Sequence, residues 1–80
     1  MVKYSLLMSP TPKQFGRKLR ALREAAGMTQ AALATQAGIT REYVNKLEGG
    51  QYDPTLGVVQ RLAKALGVEW TAFSDAGKGG

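Results

Sequence analysis

Apolar side chains recur every three to four residues along most of the chain, which is the period of an amphipathic α-helix. In the first such stretch, Phe15, Leu19, Leu22 and Ala26 fall within a sector of about 60° on a helical wheel. No stretch between residues 13 and 74 shows the period of two that a half-buried strand requires. The pattern therefore predicts an all-α domain of five helices, at about Lys13 to Ala26, Gln30 to Ala37, Arg41 to Glu48, Thr55 to Leu66 and Glu69 to Ser74.

The expected helix boundaries coincide with residues that start or stop helices. Thr29 and Thr40 are good N-caps, because a threonine hydroxyl can accept a hydrogen bond from a free N–H of the first turn. Glycine follows each of the first four expected helices. In the last two helices, the spacing predicts that Leu56, Trp70 and Phe73 face the core.

The two ends of the chain lie outside this pattern. Residues 1–12 form an expected N-terminal arm, in which Val2, Tyr4 and Leu6 alternate with polar side chains. Such an arm can pair as a strand with its copy in a dimer. The same sequence is also typical of a tail that is disordered or packs on the core. The folded domain is expected to span residues 13–74, and residues 75–80 are expected to form a disordered tail.

The charge of the chain is positive and unevenly distributed. Eleven Lys and Arg residues oppose six Asp and Glu residues, so the net charge is +5 in a chain of 80 residues. Residues 1–23 contain Lys and Arg but no acidic residue. A basic segment of this kind favours an anionic partner, and a chain of this length supports one small core.

The composition also excludes several kinds of site. Cysteine and histidine are both absent, which rules out disulfides, Cys/His zinc sites and histidine-based acid–base catalysis. The six carboxylates are scattered, and no pair is expected to share a cleft with a base or a metal. No apolar run approaches the ~18 residues of a membrane span. We therefore expect a cytoplasmic protein that is not an enzyme and has no cofactor, no metal and no membrane segment.

The stretch QAALATQAGITREYVNKLEGG, residues 30–50, has the features of two short helices that meet at a steep angle. Gly38 can take the positive φ that the turn needs, and Ala34 is small enough for the crossing. On the second of these helices, Val44 and Leu47 point inward, whereas Glu42 and Lys46 lie about 160° and about 200° from Val44. Arg41, Tyr43 and Asn45 flank these outward positions. Long polar side chains in front of apolar anchors suit insertion into the major groove of DNA.

Together with LRALREAAGMTQ before it and DPTLGVVQRLAKALGV after it, this stretch resembles the lambda-repressor-like helix-turn-helix domain of the Cro/XRE type. The resemblance covers about Phe15 to Phe73. It implies a compact five-helix domain whose third helix reads the major groove, with a short N-terminal arm.

The resemblance also implies roles for individual residues. The base-reading positions are held by Arg41, Glu42 and Lys46, with Thr40 and Asn45 near the backbone or base edges. Gln30 matches a glutamine that the family places against a phosphate, at a helix N-terminus that suits an anion. The full set of expected phosphate contacts is Gln30, Thr29, Tyr43, Gln51, Tyr52, Lys13 and Arg17.

The chain departs from the family after the third helix. A polar or basic residue is common where Gly49 stands, and basic residues are common where Gln51 and Asp53 stand. Asp53 would repel a phosphate, so we expect weaker backbone contacts through this loop.

Arg23 and Glu48 have a structural interpretation. Each lies beside an apolar stripe rather than opposite one, and the family often pairs these positions in a partly buried ion pair. Removing one partner alone should then cost more than removing both.

Two functions remain open from the sequence. The first is a sequence-specific DNA-binding regulator of transcription, such as a repressor, that binds double-stranded DNA as a homodimer on an inverted repeat. The second is a protein-interaction module, such as an antitoxin that neutralises a toxin. The second function predicts that changes at Arg41 and Lys46 leave activity intact, whereas the Val2–Met8 arm or the Trp70 region matters.

Overall fold

The computed structural model describes residues 11–73, and every regular element within them is helical. The elements are α1 at Pro12–Ala25, α2 at Gln30–Ala37, α3 at Arg41–Glu48, α4 at Leu56–Leu66, and a 3₁₀-helix at Trp70–Phe73. The expected all-α architecture is therefore confirmed for these residues. The expected arm and tail lie outside the described residues, except that Thr11 and Pro12 form the start of α1.

The expected fifth α-helix is wrong in type. Trp70–Phe73 is a 3₁₀-helix of four residues, in which the Ala72 N–H donates to the Glu69 carbonyl at 2.9 Å. A segment this short cannot complete enough i→i+4 bonds to offset helix nucleation, whereas a 3₁₀ turn needs only i→i+3 bonds.

Each α-helix begins at a threonine that caps it. The side-chain oxygens of Thr11, Thr29, Thr40 and Thr55 accept the backbone N–H three residues ahead at 3.0–3.2 Å. Thr11 forms a full capping box, because the Gln14 side chain in turn accepts the Thr11 N–H at 2.9 Å. This box explains why α1 starts at Pro12, one residue before the expected position.

The helices enclose one core, and its most buried side chains are Leu19, Leu33, Val44, Leu47 and Leu62. Phe73 joins this core and packs against Phe15, with ring centroids 4.9 Å apart and the ring planes tilted by 34°. Two expectations for the core are wrong. Trp70 is 47% exposed, because Phe73 occupies the space beside Phe15. Leu56 is 61% exposed, because the buried part of α4 lies about two turns further along, at Leu62 and Ala63.

Helix α1 approaches α3 through Gly16, which is buried. A Cβ at this position would overlap the carbonyl oxygen of Leu47 and lie only 2.6 Å from that of Glu48. The absence of a side chain therefore lets the backbone of α1 rest directly on the last turn of α3. This close approach sets the position of α3 relative to the rest of the domain.

Candidate nucleic-acid interface

Helix α3 presents a polar face to solvent. Val44 and Leu47 are fully buried, so they anchor the helix in the core. Arg41, Glu42 and Asn45 are exposed on the other side. Because the helix has only eight residues, its outward face consists almost entirely of the side chains that the sequence proposes for base contacts.

The turn between α2 and α3 gives these two helices their relative orientation. Gly38 has φ 74°, and the Ile39 N–H donates to the Ala34 carbonyl at 3.0 Å, which ends α2. Thr40 then caps α3 by accepting the Tyr43 N–H at 3.0 Å. The Thr40 and Thr29 hydroxyl oxygens are thus engaged as caps, while each hydroxyl hydrogen remains available to an outside acceptor.

A forked ion pair holds the end of α3 against α1. Arg23 donates from Nε to Glu48 Oε2 at 2.6 Å and from Nη2 to Glu48 Oε1 at 3.1 Å. Its Nη1 donates to the Met28 carbonyl at 2.9 Å, so the same guanidinium also ties down the α1–α2 turn. The side chains are 12% and 5% exposed. This is the pairing that the sequence proposes for Arg23 and Glu48.

The pairing with Glu48 further stabilises the charged form of the guanidinium. The hydrogen bonds with Glu48 are the main reason that the pKa of Arg23 lies above its ordinary value. Burial acts against this rise, and the negative charges of Glu48 and Glu24 add to it. A buried pair with this geometry orients the helices, because either charge left alone would be poorly solvated.

Gln30 extends the ion pair toward the polar face. Its Nε2 donates to Glu48 Oε1 at 3.0 Å, and its Oε1 faces Asn45 Nδ2 at 3.4 Å. Because an ionised carboxylate only accepts hydrogen bonds, the NH₂ end of the Gln30 amide faces Glu48 and the oxygen end faces Asn45. Sequence reasoning assigned Gln30 to a phosphate and missed this contact, since nothing in the local pattern links residues 18 apart.

A polar cleft of about 370 Å³ opens beside this network. It is lined by Arg20, Arg23, Gln30, Asn45, Glu48, Gly49 and Gln51. Of the expected DNA contacts, the structure thus brings Gln30, Asn45 and Gln51 together at one site. Arg20 was not among the expected contacts, and it pairs with Glu24 at 3.1 Å on the exposed surface of α1.

A second group of expected contacts meets at the other edge of α3. The Tyr43 and Tyr52 rings lie with centroids 5.9 Å apart, and Lys46 Nζ lies 6.0 Å from the Tyr52 centroid. Tyr43 and Lys46 are half-buried, and Tyr52 is exposed. The sequence assigned Lys46 to a base and the two tyrosines to phosphates, and only the structure shows that the three side chains meet.

Lys13 lies beside Gly50, in the turn that follows α3, rather than away from the other helices. A Cβ on Gly50 would lie 2.8 Å from Lys13 Cγ. Lys13, Gly16, Arg20 and Arg23 share one stripe of α1, and this stripe faces the end of α3. Arg17 is exposed on α1. Arg41 and Glu42 stand in the first turn of α3, so roughly 10 Å of helix separates Arg41 from the turn that Lys13 contacts.

The part of the chain from 11 to 73 contains no membrane-spanning helix and no cluster of metal ligands. Within it, no helix has the length and apolar character needed to cross a membrane. Nor does this part hold any group of three or more potential metal-ligating side chains. The polar surface around α3 is the candidate site, because six of the expected DNA contacts meet along its two edges.

Comparison with known proteins agrees with this geometry. A family model described as helix-turn-helix domain matches residues 14–72. The crystal structure of the restriction-modification controller protein C.AhdI from Aeromonas hydrophila is 39% identical and has a TM-score of 0.76. This match covers 78% of this chain and 94% of the controller protein.

Two relatives known from their sequences carry related names. An uncharacterised HTH-type transcriptional regulator of Methanothermobacter thermautotrophicus is 43% identical over 51 residues, which are 64% of this chain and 74% of that protein. The immunity repressor protein of Bacillus phage phi105 is 33% identical over 58 residues. These cover 72% of this chain but only 40% of the repressor. The fold, the α2–turn–α3 geometry and these matches together show that the chain belongs to the helix-turn-helix family, in its lambda-repressor-like form.

Proposed function

We propose that this chain is a sequence-specific DNA-binding regulator of transcription. The observation that carries the proposal is the arrangement of α3, whose apolar side is fully buried at Val44 and Leu47 and whose outer side is polar. Buried anchors hold the helix rigidly enough for its outer side chains to meet base edges in a fixed register. The names of the relatives, which include a repressor, a transcriptional regulator and a restriction-modification controller, support the same function.

Base contacts would come from the exposed face of α3. Arg41 can donate two hydrogen bonds to O6 and N7 of guanine, and Glu42 can accept from N4 of cytosine. Lys46 can donate to guanine, and Thr40 and Asn45 can reach the backbone or the base edges. Of these five, Arg41 and Glu42 stand in the first turn, which enters the groove deepest in helix-turn-helix docking.

Phosphate contacts would flank this face. Gln30 keeps one amide hydrogen free beyond its bond to Glu48, and Thr29 keeps its hydroxyl hydrogen, both at the positive N-terminus of α2. Gln51 lines the same cleft, while Tyr43 and Tyr52 can donate from their hydroxyls. Lys13 and Arg17 would supply positive charge from α1. Asp53, which is exposed, would oppose binding by repelling phosphate.

We further propose that the chain binds as a homodimer on an inverted repeat. One eight-residue helix contacts only a short half-site, and two copies related by two-fold symmetry double the contacts. The exposed Trp70 ring and Leu56 are large apolar side chains that a second copy could cover. We propose no catalytic step and no cofactor, because binding to base edges and phosphates requires only hydrogen bonds and charge, and we place this binding in the cytoplasm.

Selection from a random duplex library at ~0.15 M salt tests the proposal, because non-specific binding is already weak there. We expect an enriched inverted repeat with half-sites about one helical turn, ~10 bp, apart. No enrichment would overturn DNA reading and favour a protein-interaction module such as an antitoxin.

Two matched variants then test the assigned roles. Arg41→Ala should cost roughly 1–3 kcal/mol on the selected operator and relax the preference at one base pair. Arg17→Ala should weaken binding to all sequences alike and reduce the salt slope by about one unit. If Arg41→Ala weakens selected and random DNA equally, its base-reading role is wrong.

A further inference from the structure

Three side chains form a small cluster at the outer edge of α3. Tyr43 and Lys46 stand one helical turn apart on α3, and Tyr52 comes from the loop that follows. The centroid of the Tyr52 ring lies 5.9 Å from the centroid of the Tyr43 ring and 6.0 Å from Lys46 Nζ. We call this group the Tyr52 cluster.

The position of Tyr52 is set by the backbone. Gly50 has φ 75°, a conformation that turns the chain back toward α3, and the Gln51 N–H donates to the Lys46 carbonyl at 3.0 Å. Lys46 is therefore connected to this loop twice, through its carbonyl to Gln51 and through its ammonium to the Tyr52 ring. Pro54, shortly after, restricts the backbone again.

This arrangement limits where the Lys46 ammonium can go. A lysine side chain has four rotatable bonds, so in solution its charge can reach a base edge or a neighbouring phosphate equally well. An ammonium over the face of a tyrosine ring is attracted by the ring's π electrons, which favours the rotamers that keep it there. The contact of Tyr52 with Tyr43 in turn restrains the ring.

We propose that Tyr52 is a positioning residue for specificity: its ring restricts the rotamers of Lys46 and so sharpens the discrimination of Lys46 at the base pair that it reads. The inference rests on the proposed function and changes the role expected for Tyr52. If the hydroxyl bound a phosphate, Tyr52 would add affinity on every sequence. If the ring positions Lys46, Tyr52 adds discrimination at the base pair that Lys46 reads.

The first test uses the free protein and needs no DNA. Methylene protons of Lys46 near the Tyr52 ring should show upfield ring-current shifts in the NMR spectrum. The shifts should persist in Tyr52→Phe, which keeps the ring, and disappear in Tyr52→Leu, which removes it. Because Tyr52 is 46% exposed, both variants should fold. Lys46 shifts in the wild type that match those of Tyr52→Leu would overturn the inference.

The second test is a double-mutant cycle on the selected operator. Lys46→Ala first identifies the base pair where its loss relaxes specificity. Tyr52→Leu should lower discrimination at that same base pair about two- to five-fold, the factor that corresponds to an exposed cation–π contact. Tyr52→Phe should retain discrimination, and Tyr52→Leu should have no further effect in the Lys46→Ala background.

Several outcomes would contradict the inference, and they differ from failure of the proposed function. If Tyr52→Phe weakens binding to all sequences as much as Tyr52→Leu does, the hydroxyl acts on a phosphate. Additive effects of Tyr52→Leu and Lys46→Ala would show that Tyr52 acts independently of Lys46. If Lys46→Ala has no base-specific effect, the inference is overturned. The proposed function would still stand, because an operator could still be selected through base contacts of Arg41. Failure to select any operator would instead overturn the proposed function.

Discussion

Replacing Gly16 with alanine should destabilise the domain, although the same change in most helices is favourable. Glycine inside a helix costs roughly 0.5–1 kcal/mol relative to alanine, so an unhindered Gly→Ala change raises stability by about that amount. At Gly16 the added Cβ would overlap the Leu47 carbonyl oxygen and lie 2.6 Å from that of Glu48. An ordinary contact at such a Cβ is 3.4 Å or longer.

The structure gives a magnitude for this clash. The Glu48 oxygen would have to move away by about 0.8 Å, and the Leu47 oxygen by more. The Leu47 carbonyl accepts the Gly50 N–H at 3.1 Å, so it cannot rotate away without losing that bond. The helices must therefore separate. Overpacking of this kind costs typically 1–3 kcal/mol, and a clash with backbone falls at the upper end, which leaves a net loss of about 2 kcal/mol after the helix gain.

Thermal unfolding followed by circular dichroism measures this effect. For a domain of this size a loss of about 2 kcal/mol lowers Tm by roughly 8–16 °C. The matched control is Gly57→Ala in the first turn of α4, where the nearest atom to an added Cβ outside the helix backbone, Thr55 Oγ1, is 4.0 Å away. This control should raise Tm by a few degrees, corresponding to about 0.5 kcal/mol. If Gly16→Ala raises Tm as Gly57→Ala does, the prediction that the α1–α3 backbone contact excludes a Cβ at Gly16 is wrong.

Two other predictions concern the surroundings of the interface. Arg23→Met should lower the free energy of unfolding by about 3–5 kcal/mol, because it leaves the Glu48 carboxylate, 5% exposed, buried without a partner. The double variant Arg23→Met with Glu48→Leu should lower the free energy of unfolding much less, because no charge is then left buried. Urea unfolding measures both, and equal losses would show that the charge of Glu48 is not the cause. Gly49→Lys should tighten binding to all duplexes and steepen the salt slope by about one unit, because it adds a positive charge. The site tolerates the side chain: Gly49 has φ −80°, and a Cβ there would lie 3.3 Å from the movable Gln51 amide. Gly49→Gln is the uncharged control, and a salt slope equal to that of this control would refute a phosphate near residue 49.

The helices could be predicted well because their signals are local. The bounds of α2 and α3 match the expected ones, since a capping threonine and a terminating glycine act within one helical turn. The start of α1 differs by one residue, because the capping box between Thr11 and Gln14 places the N-cap at Thr11 and lets Pro12 take the first helical position. The last segment was predicted as helix but is 3₁₀, since periodicity does not distinguish i→i+3 from i→i+4 bonding over four residues.

The candidate interface could be predicted only in its outward-facing residues. Angular position on α3 correctly separates the buried Val44 and Leu47 from the exposed Arg41 and Glu42. The roles proposed for these exposed side chains stay predictions until binding is measured. The contact of Gln30 with Glu48 was missed, because its two residues are brought together by the crossing of α2 and α3.

The sequence by itself determined that the described residues are helical, where α2 and α3 begin and end, and which side of α3 faces outward. Each of these depends on neighbours within a few residues, through caps, turns and the 3.6-residue period. Only the tertiary structure decided that Gly16 seats α1 against α3, that Trp70 stays at the surface and that Tyr52 meets Lys46. These features depend on distances between elements, which packing of the whole core sets and which no local pattern encodes.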